Sequence, residues 1–120
     1  MPFKAMLTEL VTAVPGASGA ILADWEGEAV AQYYLHEDDY DLKILGAHKG
    51  IILNQMREIH ADLGSGELKE AVITTARQHV LIGTIGPDYN LVMTLTRTAL
   101  IGYAFHHFRR TLEQLCEEIC

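Results

Sequence analysis

An α+β fold built on an antiparallel sheet is predicted by three observations on this chain. A hairpin signature spans residues 15–32, three closely spaced β-rich runs lie between Glu70 and Thr96, and stretches of helical periodicity precede, separate and follow them. The gaps between the three runs are too short for crossover helices, so these strands form an antiparallel meander.

Phe3, Met6, Leu7, Leu10, Val11 and Val14 recur at helical spacing and predict a short amphipathic helix. It feeds directly into the hairpin segment PGASGAILADWEGEAVAQ. There Asp24-Trp25-Glu26-Gly27 offers Asp as the side-chain acceptor of a type I turn and Gly for a left-handed residue, the chemistry of a turn with a glycine bulge. Ala17, Gly19, Ala20 and Ala23 are small, so the first strand can be buried with its covering elements close. Trp25 at the tip has two readings, a partner contact or a ring folded over a neighbour.

His36-Glu37-Asp38-Asp39 places carboxylates where the positive end of a helix dipole favours them. Helical patterning runs from about Tyr40 to Leu63 and stops at Gly64-Ser65-Gly66. Leu42, Leu45, Ile52, Leu53, Met56, Ile59 and Leu63 share one side, widened by Ile44 and Ile51, a stripe broader than one packing face requires. The opposite side carries Lys43, Gly46, Gly50, Asn54 and Arg57. Each glycine inside a helix costs about 1 kcal/mol relative to alanine. Either that cost is tolerated, or the small residues four apart open a groove for a second backbone.

The strands of the meander are expected at Glu70–Thr75, His79–Ile85 and Asn90–Thr96, joined by turns at Ala76-Arg77-Gln78 and Gly86-Pro87-Asp88-Tyr89. Their near-continuous apolar character predicts a sheet covered on both faces. A last helix is expected to start near Thr98 as N-cap. Its seam of Ile101, Phe105, Phe108, Leu112, Leu115 and Ile119 is expected to pack on the sheet.

Residues 1–120 are expected to form one domain, large enough for a core without disulfides or metals. Nine basic against sixteen acidic residues give a net charge of −7, which argues against nucleic acid or an anionic membrane as main partner. Thr8 and Glu9 interrupt the first apolar run, so it reads as a folded helix and not a signal peptide. No apolar run reaches membrane-spanning length, and the expected location is the cytoplasm. Cys116 and Cys120 face together on the last helix but form no secreted-domain framework, and are expected as plain helix residues.

Catalytic motifs are sparse. Gly46-Ala47-His48-Lys49-Gly50 lies inside a helical pattern and cannot cradle phosphate, so the chain is not expected to be a GTPase itself. Ser18 and Ser65 stand outside any nucleophile elbow. His106 and His107 diverge by about 100°, and His107 and Cys116 lie about 13 Å apart along the axis, too far for one ion. Arg77 and Arg97 read as solvated arginines before they read as catalytic fingers, and Glu37, Asp38, Asp39 and Asp41 as a helix start before a cation site. No enzyme, cofactor or metal site is expected.

The order helix, two strands, long helix, three strands, helix, together with the Asp-x-x-Gly hairpin and the stretch LVMTLTRTALIGYAFHHF with Gly102 in the first helical turn, resembles the Roadblock/dynein light chain family. The likeness is strongest to its bacterial gliding-motility type. The resemblance implies a profilin-like three-layer α/β/α sandwich with a five-stranded antiparallel sheet of order 2-1-5-4-3. It further implies a homodimer whose third strands pair edge to edge, which would satisfy the open edge at Glu70–Thr75, with the long helices side by side. Val72 and Thr74 of that strand join Lys43, Gly46, Gly50, Asn54 and Arg57 as expected interface residues, for the dimer mate or for a partner. The implied partner is a small Ras-like GTPase and the implied role a non-catalytic regulator or adaptor. In the bacterial type this role is GTPase activation by remodelling the switch region without an arginine finger. Two other readings compete: a small-molecule sensor with a profilin-like fold, and a scaffold half that heterodimerises with a sister Roadblock protein.

Overall fold

The computed structural model describes residues 3–24, 26, 28–35 and 69–120. Helix α1 (Phe3–Ala13) leads into β1 (Ala17–Asp24) and β2 (Ala29–Tyr34). Strands β3 (Glu70–Thr74), β4 (Gln78–Ile85) and β5 (Tyr89–Thr96) follow, and helix α2 (Ile101–Ile119) closes the chain. The sheet order is β2-β1-β5-β4-β3, antiparallel throughout. Helix α1 and the strands fall where periodicity and turn chemistry place them, within about one residue at the meander ends. The long helix expected at residues 40–63 lies outside the described residues.

Helix α1 buries Phe3, Leu7, Leu10 and Val11, the face its spacing predicted. Strand β1 is buried except at Ser18 and Asp24, and its small residues let α1 lie close. At the hairpin tip Asp24 Oδ1 accepts the backbone N–H groups of Glu26 (2.9 Å) and Glu28 (3.0 Å), the side-chain role expected of it. Leu22 faces Ala31 and Ala23 faces Ala29, so Val30 is the extra residue of a bulge in β2. Trp25 and Gly27 lie outside the described residues.

Helices α1 and α2 cover one face of the sheet. Leu7, Leu22, Leu81, Leu91, Met93, Leu95, Phe108 and Leu115 belong to a single buried cluster there. Phe108 is fully buried, and truncating such a ring costs about 3–5 kcal/mol. Helix α2 approaches closely enough that a Cβ on Gly83 would stand 2.8 Å from Phe108 and 2.7 Å from Leu112. The other face holds a second buried cluster, Ile21, Ala23, Val80, Ile82 and Val92, flanked by Tyr34, Ala71 and Ile73.

The junctions before β1 and after β5 are locked together. Gly16 has φ +91°, its carbonyl accepts the Thr96 N–H at 2.8 Å, and a Cβ there would lie 2.8 Å from Thr96 Oγ1 and 2.9 Å from Ala99 Cβ. Any side chain at Gly16 would therefore meet both a left-handed backbone and a filled space.

Two expectations for α2 need correction. The N-cap is Leu100 and not Thr98, and Leu100 makes no side-chain capping bond. Residues 96–99 turn first, with Ala99 N–H donating to Thr96 O at 3.1 Å, and the Thr98 hydroxyl pairs with that of Thr96 at 3.3 Å. Thr98 is thus spent within the turn. At the other end Cys116 and Cys120 form a disulfide and are not plain helix residues. The Cα atoms stand 4.8 Å apart, against about 6.2 Å for residues i and i+4 of a regular helix, because Cys120 leaves the helix as its C-cap.

Candidate functional site

Strand β3 is one border of the sheet, and among the described residues it pairs only with β4. Its outer backbone groups therefore present a row of donors and acceptors to an incoming strand. Val72 stands opposite Leu81 and Thr74 opposite His79 on the face that α1 and α2 cover, and both are exposed. The two predicted interface residues of β3 are thus brought together. Lys43, Gly46, Gly50, Asn54 and Arg57 lie outside the described residues.

The strand is short, five residues, but held at both ends by side chains. At its C-terminal end the Thr74 hydroxyl contacts His79 Nδ1 at 2.8 Å, and His79 Nε2 lies 3.2 Å from the carbonyl oxygen of Arg97. A carbonyl only accepts, so Nε2 carries the proton and Nδ1 accepts from Thr74. His79 is buried with both ring nitrogens partnered. At the N-terminal end Glu70 pairs with Arg109 of α2, whose Nε donates to both carboxylate oxygens at 3.1 Å and whose Nη2 donates to Oε1. The hydrogen bond and the charge of Glu70 hold the Arg109 guanidinium above the ordinary arginine range. The Arg109 guanidinium also sits 4.8 Å above the Phe105 ring. An edge fixed in this way loses less freedom when a partner strand docks.

Sequence reasoning missed both tethers. Glu70 and Arg109 are 39 residues apart, and neither stands in a motif. Beside this pair a cleft of about 350 Å³ opens between β3 and α2, reaching Lys69, Thr84, Leu112 and Cys116. The paired charges of Glu70 and Arg109 occupy its wall. Arg77 and Arg97 are exposed, and the β3–β4 turn around Arg77 is held by Thr75 Oγ1, which accepts the N–H groups of Arg77 and Gln78 at 3.2 Å. Among the described residues no three His, Cys, Asp or Glu side chains converge on one point, and no helix is long and apolar enough to cross a membrane.

Strand order and helix placement are those of a profilin-like domain, and what its border strand offers is backbone for another chain. The chain belongs to the Roadblock/LC7 domain family, whose model matches residues 3–95. Among solved structures, MglB of Myxococcus xanthus superposes with a TM-score of 0.88 at 14% identity, covering 99% of this chain and 95% of that one. The gliding protein mglB of Thermus thermophilus gives 0.85 at 22% identity, covering 96% and 86%. Profilin IB of Acanthamoeba castellanii gives 0.67 at 11% identity, covering 98% and 99%. At these identities the likeness is one of fold. Among curated protein sequences none matches the chain.

Proposed function

We propose that residues 1–120 act as a single Roadblock domain, a cytoplasmic homodimeric regulator or adaptor of a small Ras-like GTPase with no catalytic site of its own. Family membership supports the class of partner, through the resemblance to bacterial gliding-motility regulators. The observation that carries the dimer is the open β3 edge, tethered through Thr74 and Glu70 while its outer backbone stays unpaired among the described residues. A two-fold pairing centred on the strand sets Val72 against Val72 of the second copy. Lys43, Gly46, Gly50, Asn54 and Arg57 are the remaining candidates for the dimer or GTPase contact.

Light scattering tests the dimer. Wild type should have twice the 13.3 kDa chain mass, and Val72→Lys, which places like charges directly opposite, should be a folded monomer. Titration against Ras-like GTPases loaded with either nucleotide tests the role. Binding that prefers one nucleotide state, with hydrolysis confined to the GTPase, supports the reading. A monomeric wild type, or GTP turnover by the purified chain, refutes it.

A further inference from the structure

Helix α2 carries its charge against its own dipole. His106, His107, Arg109 and Arg110 lie in its N-terminal half, and Glu113, Glu117 and Glu118 in its C-terminal half. The first turn has no acidic residue, the last has no basic one, and the N-cap Leu100 gives no side-chain bond. The dipole disfavours Glu117 and Glu118 in the last turn, so helix stability does not account for their placement. Arg109 is occupied by Glu70. His107 is half-buried and turned against Tyr103, with ring centroids 4.7 Å apart. His106, Arg110, Glu113 and Glu117 are exposed, and among the described residues they form no ion pair.

These four residues continue the line of Tyr103. The positions Tyr103, His106, Arg110, Glu113 and Glu117 are spaced three and four apart in alternation, so they form one outward seam about 21 Å long. The seam is self-complementary. A two-fold axis crossing it midway between Arg110 and Glu113 sets Arg110 against Glu113 of a second, antiparallel copy and His106 against Glu117. Symmetry repeats both pairs, and Arg109 meets Gln114 on the flank. In the same register Tyr103 reaches the last turn of the second helix at Cys120. Tyr103 is 47% exposed and Leu100 beside it 75%, so apolar surface lies at the N-terminal end of the charged seam, and the two-fold axis repeats it at the other end of the paired helices.

We propose that the outward seam of α2 is a self-association surface on which a second copy of this chain docks antiparallel, Arg110 against Glu113 and His106 against Glu117. The contact is isologous and stands on its own observations, apart from the β3 edge. Because exposed ion pairs are individually weak and screened by salt, the association is modest and strongest at low ionic strength.

Sedimentation velocity on the full chain tests it, run at low and high salt, in wild type and in a Val72→Lys background that removes pairing through β3. Low salt should produce a reversible larger species that high salt dissolves. Arg110→Glu and Glu113→Arg alone should each weaken this association roughly tenfold or more, since each sets like charges across the axis. An equimolar mixture of the two single variants should restore it, as should the double variant R110E/E113R. Both positions are exposed, and circular dichroism checks that the fold is intact. A wild type without salt-dependent association, single variants that associate as wild type does, or a mixture that fails to recover would each overturn the proposal. Loss of the β3 dimer with the seam contact intact would instead count against the proposed dimer alone.

Discussion

Glu70 and Arg109 join the border strand to the last helix across 39 residues, Arg109 Nε shared at 3.1 Å between both carboxylate oxygens. Arg109 is more than half exposed, so the pair positions β3 more than it stabilises the fold. Arg109→Gln should change the melting temperature only slightly and speed amide exchange at Ala71 and Ile73, whose N–H groups face β4. Because the guanidinium pKa is raised in the folded state, its contribution would fade only as pH rises beyond the arginine range. The small difference from wild type should therefore be the same at neutral and at moderately alkaline pH. A difference that vanishes on going alkaline would contradict this.

Gly83 and Gly102 should respond in opposite directions to an added side chain. Gly83 lies beneath Phe108 and Leu112, and a Cβ there meets three side-chain atoms within 2.9 Å. Gly83→Val should destabilise by about 1–3 kcal/mol through overpacking. Among the described residues nothing lies within 4 Å of the place a Cβ would take on Gly102, and Gly102→Ala should stabilise α2 by up to about 1 kcal/mol. Urea denaturation of the two variants compares them directly.

Asn90 is buried in β5, and among the described residues its Oδ1 has no partner. Asn90→Asp would put an ionisable carboxyl at that point, where burial favours its neutral form and raises its pKa in the folded state. Such a group contributes most below its unfolded pKa and loses that contribution as pH rises through the folded one. The variant should be about 1–3 kcal/mol less stable than wild type at neutral pH and recover towards it in mild acid. Denaturation curves across pH that show the gap widening in acid would refute this.

The Cys116–Cys120 disulfide closes a loop with a sequence separation of only 4. Short loops remove little entropy from the unfolded chain, so reduction should cost about 2 kcal/mol at most. The double variant Cys116→Ser, Cys120→Ser should match reduced wild type in urea and be indifferent to reductant. Leu115 stays buried one residue away, so helical content should change only at the last turn.

What the sequence made legible was local. Phe3 to Val14, the Asp24 turn and the β-branched runs each show their state within a dozen residues, and the structure agrees. The pairing of β1 with β5 reached the sequence reading only through family resemblance, because nothing near Ala17 names Leu95 as its neighbour. Thr98 failed as an N-cap because its hydroxyl had a competing partner in Thr96. The disulfide was set aside because two cysteines at the end of one helix make no secreted-domain framework, yet it forms where Cys120 leaves the helix. Of the candidate site, Val72 and Thr74 were placed on an edge only through the sheet order that the family resemblance implies, and His79, Glu70 and Arg109 act across the fold.

The seam between β1 and β5 also sets a timetable for the newborn chain. Ala17 has no cross-strand partner until Leu95 has been made, and at roughly 5–20 residues per second this is a wait of about 4–16 s. During that interval the N-terminal hairpin is on offer to anything nearby. Its strand ASGAILAD is half alanine and glycine, a composition with little to attract strangers. The residues that let the finished strand lie close to α1 also keep it inconspicuous while it waits on the ribosome.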